Sequence, residues 1–354
     1  MLNQQKASHH GKNSKICLNK KENYMTLIKH KNSGNLEPYF YFALEEYVMK
    51  KLLSDNRSFF FTWEIEGVVI GKNQVLENEV NLDFCRKNNI KVFRRPTGGG
   101  CVYADEKNTM FSMITKKKNE SFSFKDYLVK IVEAMKELGV IIEFSGRNDL
   151  LYNGKKISGN AFLQNKYGML MHGTFLYNCD LERMVRSISP SDEKLISKGI
   201  NSVRSRVTNM KPFLNGMTQK ELIDHFNEFI TDEVYELSDK EIDEINEMAK
   251  KYRDKEYIYS KQPLHTKILK ERISGGLFEL HVKIQKGIIE RLSIKGDFFD
   301  LNPIDRFEVN FEGLKYNQDE IKKVLEQVDI SNFILDANNE EFLRLLSKGI
   351  VERI

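Results

Sequence analysis

Hydrophobic positions along this chain switch between a helical period and a two-residue alternation, and the switches mark its elements. Between 37 and 53, Phe40, Leu44, Tyr47 and Val48 recur at helical steps. That spacing predicts an amphipathic helix with Glu45 and Glu46 turned to solvent. Short runs rich in β-branched and aromatic residues predict strands at 26–28, 59–63, 68–70 and 90–94, and a largely buried strand at 108–114. A short helix is expected over 80–88, and a longer one over 124–138 that buries Tyr127, Ile131, Met135 and Leu138. Strands at 150–152 and 156–158 flank Asn153-Gly154, a strong two-residue hairpin signal, and 169–176 reads as a further strand.

Helical periodicity returns over 218–230 and 238–252, where Ser238 and Glu241 have the spacing of a capping box. Lys261-Gln262-Pro263 reads as a linker. Beyond about 265, strands at 277–284 and 288–295 meet at Lys286-Gly287, and a helix follows over 318–327. The expected layout is a basic, disordered tail at 1–24, a large domain over 25–258 and a smaller α+β domain over 264–354.

Composition narrows the class. A chain of 354 residues, 40% hydrophobic and 30% charged, reads as globular with two domains. No apolar stretch approaches the length of a transmembrane helix. Cys17, Cys85, Cys101 and Cys179 are scattered without metal-like spacing, which suits a reducing, cytoplasmic setting. The tail lacks the apolar core of a secretory signal and the arginines of a typical transit peptide, although an organellar address is left open by its basic character. Net charge is +4, and the tail alone carries five lysines against Glu22. The rest of the chain is therefore neutral, with no basic face to suggest nucleic acid.

The run Arg94-Arg95-Pro96-Thr97-Gly98-Gly99-Gly100-Cys101-Val102-Tyr103 is the strongest chemical signal. Three glycines bare the main chain to a ligand and permit positive φ. Two arginines beside them favour an anion. No Gly-Lys-Ser/Thr closes the run, and its glycine spacing is not that of a dinucleotide fingerprint. Four further segments look unusual for scaffold. They are Gly146-Arg147-Asn148-Asp149, Lys155-Lys156-Ile157-Ser158-Gly159-Asn160-Ala161, Met171-His172-Gly173-Thr174, and the basic stretch 198–209 that includes Ser202, Arg204 and Arg206. Strand alternation turns Lys155 away from the face of Lys156.

Taken together and in this order, the five segments resemble those of the lipoate–protein ligases, in the biotin/lipoate ligase superfamily. The likeness runs from about 25 to 354 and includes Gly296-Asp297-Phe298-Phe299. It implies a mixed-sheet domain like that of class II aminoacyl-tRNA synthetases, with a small α+β accessory domain. It implies an ATP-dependent ligase that converts lipoate to lipoyl-AMP, releases pyrophosphate and acylates a lysine of an acceptor. The implied acceptors are lipoyl domains of 2-oxo-acid dehydrogenases or the glycine-cleavage H protein, with Mg²⁺ assisting. By the same resemblance Lys156 is the central catalytic residue, contacting α-phosphate and acyl carbonyl. Asp149 is placed at metal or phosphate oxygens. Arg95 is expected at phosphate, and lipoate beside Gly98, Gly99, Gly100, Gly159 and His172. The nucleotide falls to Gly100, Cys101, Val102, Tyr103, Asn108 and Thr174, and a mobile adenylate loop to Ser202, Arg204 and Arg206.

The chain departs from the family pattern at Ala104, Lys107 and Val75, and the first and last are expected to border the ligand site. The principal alternative is a lipoyl or octanoyl transferase that works through a cysteine thioester, with Cys101 and Cys179 as candidates. A biotin ligase and a non-enzymatic lipoate carrier are weaker rivals.

Overall fold

The computed structural model of the chain describes residues 24–31, 37–116, 124–145, 148–188, 205–259 and 265–350. Apart from Tyr24, the expected tail lies outside the described residues, as do Lys261-Gln262-Pro263, Gly146, Arg147, Ser202 and Arg204.

The strands in chain order are β1 (Tyr24–Lys29), β2 (Arg57–Trp63), β3 (Gly67–Ile70), β4 (Val92–Arg94), β5 (Val102–Ala104), β6 (Thr109–Thr115), β7 (Glu143–Ser145), β8 (Asp149–Tyr152), β9 (Lys155–Gln164), β10 (Met169–Phe175), β11 (Glu233–Glu236), β12 (Lys267–Ile273), β13 (Gly276–Gln285) and β14 (Ile288–Gly296). Among the described residues, eight of them form one sheet in the order β11-β1-β2-β6-β10-β9-β8-β7. It is parallel only where β1 meets β2 and β11. A three-stranded sheet, β4-β3-β5, carries the glycine run between β4 and β5.

Both faces of the large sheet are buried at its centre, which explains why β2 and β6 are near-continuous apolar runs. Phe60, Phe111 and Met113 point to one core, which helices Phe124–Glu137 and Gln219–Ile230 cover. Phe59, Phe61, Met110 and Ile114 point to the other, under helices Pro38–Tyr47 and Asp239–Arg253. Fully burying a phenylalanine stabilises by about 1.5–3 kcal/mol, so this alternation fixes the register of both strands. The accessory unit is an antiparallel β12-β13-β14 meander with its own core behind helices Gln318–Leu325 and Asn339–Ser347.

The expected turns form at Asn153-Gly154 and Lys286-Gly287, where φ is positive at both central residues. The capping box of Ser238 and Glu241 is present, and Thr218 with Glu221 makes a second. The expected short helix over 80–88 forms at Leu82–Lys87, where Asn81 caps it by accepting from Phe84 N at 3.1 Å, and a further short helix, Leu76–Glu79, precedes it. Two expectations need correction. The first helix opens into wider π-type turns over Val48–Leu52. Glu45 does not face solvent; it is fully buried.

Candidate active site

Glycine is required at this loop by what packs on it. Gly99 has φ +85° and donates its N–H to Phe298 O of the accessory domain at 3.0 Å. A Cβ on Gly98 would stand 2.3 Å from the same carbonyl oxygen. Arg95 locks the loop from inside. Its Nε donates to Thr97 Oγ1 (3.0 Å) and Gly98 O (3.2 Å), Nη1 to Val69 O (3.2 Å), and Nη2 to Gly98 O (2.6 Å) and Gly100 O (2.8 Å). It is only 5% exposed, and burial pulls its guanidinium down to about 10. Arg95 lines the cavity and braces the loop, because buried main-chain carbonyls need donors.

Gly100, Cys101 and Val102 form one lip of a cavity whose opposite wall carries Lys156, Gly159 and Thr174. Phe42, Trp63, Val69 and Met110 give it an apolar lining, and Asn148 and Asn160 add polar groups. Lys156 Nζ lies 2.8 Å from Asp149 Oδ1, the side chains being 40% and 32% exposed. The contact is close in charge but not aligned as a hydrogen bond, and Asp149 Oδ1 has no hydrogen-bond partner. Gly159 makes room for this pair, since a Cβ there would meet Lys156 Nζ at 2.9 Å. Val207 bridges to Lys156 in parallel, and Thr208 N donates to Lys156 O at 3.0 Å. The far end of the basic 198–209 segment, with exposed Arg206, is thereby tied to the lysine strand.

A buried polar chain crosses the cavity wall. Trp63 Nε1 donates to Ser112 Oγ (2.9 Å), which donates to Glu45 Oε1 (2.6 Å). His172 Nδ1 meets the same oxygen at 2.8 Å, and its Nε2 meets Thr97 Oγ1 at 2.8 Å. Each ring nitrogen has one hydrogen-bond partner. His172 therefore lines the cavity with its ring while both nitrogens are engaged.

The structure brings together Arg95, Gly100, Cys101, Val102, Lys156, Gly159, His172 and Thr174 at the cavity, with Asp149 on Lys156. Gly98 and Gly99 face Phe298 and Phe299 instead. Tyr103 sits in a separate apolar cluster, and Asn108 is fully buried off the lining with both amide atoms unpartnered. Ala104 lies in a core cluster, and neither it nor Val75 is among the residues that line this cavity. Glu45, Ser112 and Trp63 were not legible as site residues, whereas Asn160 lies in the segment 155–161 that stood out in the sequence. The partners of Glu45 are 67 or more residues away, and a lone glutamate on a helix carries no local signal.

Neither described candidate cysteine is activated. Burial is the chief cause that pushes both thiols well up, with Glu79 adding at Cys101 and Asp105 at Cys179. A thiol so raised is a poor nucleophile.

A mixed, largely antiparallel sheet that holds a glycine loop opposite a lysine–aspartate pair, with a small domain seated on the loop, is the class II synthetase-like fold in its ligase form. The profile described as the lipoyl protein ligase A/B catalytic domain matches residues 37–231, and that of the bacterial lipoate protein ligase C-terminus matches 262–346. The chain is 35% identical over 325 residues to Lipoate-protein ligase LplJ of Bacillus subtilis (strain 168), across 89% of this chain and 98% of that protein. It is 33% identical over 326 residues to lipoate–protein ligase 1 of Staphylococcus aureus, with the same coverage of each chain. Plasmodium falciparum LipL1, solved with lipoate, shares the fold at TM-score 0.74 and 24% identity, over 93% of this chain and 99% of that one. A bipartite lipoate protein ligase from Thermoplasma acidophilum aligns at TM-score 0.60 and 27% identity, over 70% and 99%. A lipoate-protein ligase A bound with ATP aligns at TM-score 0.56 and 24% identity, over 67% and 98%. The chain belongs to the lipoate–protein ligases and is an enzyme of that type. Among the described residues, no helix is long and apolar enough to cross a membrane.

Proposed function

We propose that this ligase activates lipoate with ATP to lipoyl-AMP and pyrophosphate, then transfers the lipoyl group to a lysine amine of an acceptor domain. The observation that carries the reading is Lys156, half-exposed at the cavity wall across from the bare main chain of Gly100 to Val102. The apolar lining suits the acyl chain. Lys156 is suited to hold the α-phosphate and the acyl carbonyl oxygen, stabilising the charge that develops on each. The bonds change in two steps. A carboxylate oxygen attacks the α-phosphorus and pyrophosphate leaves; then the acceptor amine attacks the acyl carbon, AMP leaves, and the amine gives up a proton.

Asp149 is a partly exposed carboxylate at the cavity, the hard-oxygen type that Mg²⁺ takes one or two of while phosphates and water fill the rest, although its Oδ1 would have to exchange the Lys156 ammonium at 2.8 Å for the ion. The ion would supply charge neutralisation on the phosphates. In this reading 25–258 is the catalytic unit and 264–354 its accessory domain. Asn108 supports the nucleotide side, and Ser202, Arg204 and Arg206 belong to a loop that closes over the adenylate. The reaction is placed in the cytoplasm, and the acceptors are lipoyl domains of 2-oxo-acid dehydrogenases or the glycine-cleavage H protein. The archaeal relative was solved with an E2 lipoyl domain in its system, which supports that class.

The test is the intact mass of an apo lipoyl domain and an apo H protein after incubation with enzyme, ATP, Mg²⁺ and lipoate. A lipoyl-sized gain that requires ATP and is lost in Lys156→Ala is expected. No gain and no lipoate-dependent AMP would overturn the reading.

A further inference from the structure

We propose that Arg272 of the accessory domain is a phosphate-binding residue of the nucleotide site, delivered to the glycine loop by the Gly296-Asp297-Phe298-Phe299 turn. The inference rests on the reading that ATP lies against that loop.

A triphosphate needs cations, and those nearest the loop in sequence are engaged. Arg95 braces the loop's own carbonyls. Arg94, also buried, donates to the carbonyls of Gly71, Lys72, Gln74 and Ile258. Lys72 pairs with Asp300 at 2.7 Å. Lys156 stands on the opposite wall with Asp149.

The accessory turn supplies another cation. Phe298 joins the accessory core while Phe299 inserts into the catalytic core, its ring 5.5 Å from that of Phe162. Gly99 N–H binds Phe298 O, so the residue before it, Asp297, is brought to Gly100. The open side of Gly100 meets only Asp297 Cβ, at 4.0 Å from where a Cβ would stand. Asp297 is itself fixed: Oδ1 accepts from Leu277 N at 2.6 Å and Oδ2 from Arg272 Nη2 at 2.7 Å. Arg272 lies opposite Leu277 in the β12–β13 pair, and its side chain is 63% exposed. Its guanidinium is thus one ion pair away from the loop and open to solvent. An exposed ion pair is worth roughly 0–1 kcal/mol, whereas an arginine fork on phosphate is among the stronger charge-assisted contacts. Phosphate therefore displaces Asp297 readily. The other charged groups facing this corner are Glu79, Lys270 and Glu279, and burial foremost raises the Glu79 carboxyl.

The experiment separates the half-reactions. Lipoyl-AMP formation is followed against ATP concentration in wild type, Arg272→Ala, Arg272→Lys and Asp297→Asn. Transfer to an apo lipoyl domain is followed separately with preformed lipoyl-AMP. Arg272→Ala is expected to raise the KM for ATP about tenfold, with partial rescue in Arg272→Lys and a smaller effect on transfer from preformed lipoyl-AMP, which carries one phosphate against the three of ATP. Asp297→Asn, which frees the guanidinium, is expected to leave that KM unchanged or lower it. An unchanged KM in Arg272→Ala overturns the inference, as does an equal rise in Asp297→Asn, which marks the pair as structural. Wild-type enzyme that forms no lipoyl-AMP overturns the functional reading itself.

Discussion

The two walls of the cavity are built on opposite plans. Around the glycine loop the polar side chains are over-determined: Arg95 donates from all three guanidinium nitrogens, and Thr97 links it across to His172 of β10, whose ring Glu45 holds. On the hairpin wall, Lys156 has one close carboxylate, 40% exposure and no buried network, and Asp149 keeps an oxygen without a hydrogen bond. A wall that must hold its shape satisfies its own groups. A wall that must meet charge arriving with substrate leaves groups for the substrate to satisfy. The contrast separates residues whose loss should abolish chemistry from those whose loss should abolish structure.

The sharpest break of that contrast is Lys156→Ala. Ligation is expected to fall about 10²–10³-fold, as for loss of a charge-stabilising group. The melting temperature should hardly move, because a partly exposed ion pair contributes roughly 0–1 kcal/mol. A large loss of stability would place Lys156 with the scaffold. Arg95→Ala should do the reverse. It strips donors from the carbonyls of Val69, Gly98 and Gly100, at about 1–3 kcal/mol for each buried group left unsatisfied. Denaturant titration should show a loss of at least about 3 kcal/mol. Glu45→Gln is a smaller probe, since shape survives while His172 and Ser112 lose a charged acceptor. About 1–2 kcal/mol of stability is expected to go, together with a raised KM for lipoate and not for ATP. If both constants rise together, the wall has collapsed as a whole.

The smallest effect tests the accessory interface through pH. Glu279 is held down to about 2, from an ordinary 4.5, first by its hydrogen bond from His281 (2.7 Å) and then by Lys270, against burial. A carboxyl lowered in the folded state contributes stability above the unfolded value and loses it as pH falls toward the folded one. The stability gap between wild type and Glu279→Gln should therefore be full near pH 6 and close between about pH 4.5 and 2. A gap that keeps its full pH 6 size at pH 2.5 would mean that the carboxylate charge is not what holds this face.

Local patterning already determined most of the elements and the order of the chemical segments. The hairpin at Asn153-Gly154, the capping box at Ser238 and the glycine run are decided by residues a few positions apart, and short-range conformational preference is legible in a single chain. Strands β7, β11 and β12 were not legible, because each is short or charged and is held by its neighbours; β11 exists only as a parallel partner of β1. The same rule divides the site. Lys156, Gly159 and Asp149 were marked by the family resemblance, and one hairpin is enough to bring them together. The burial of Glu45, the bracing of the loop's carbonyls by Arg95 and the seating of Phe298 on Gly99 could not be read. Each joins segments that are distant in sequence or turns on which polar groups stay unsatisfied, and only the packed tertiary structure sets those partners.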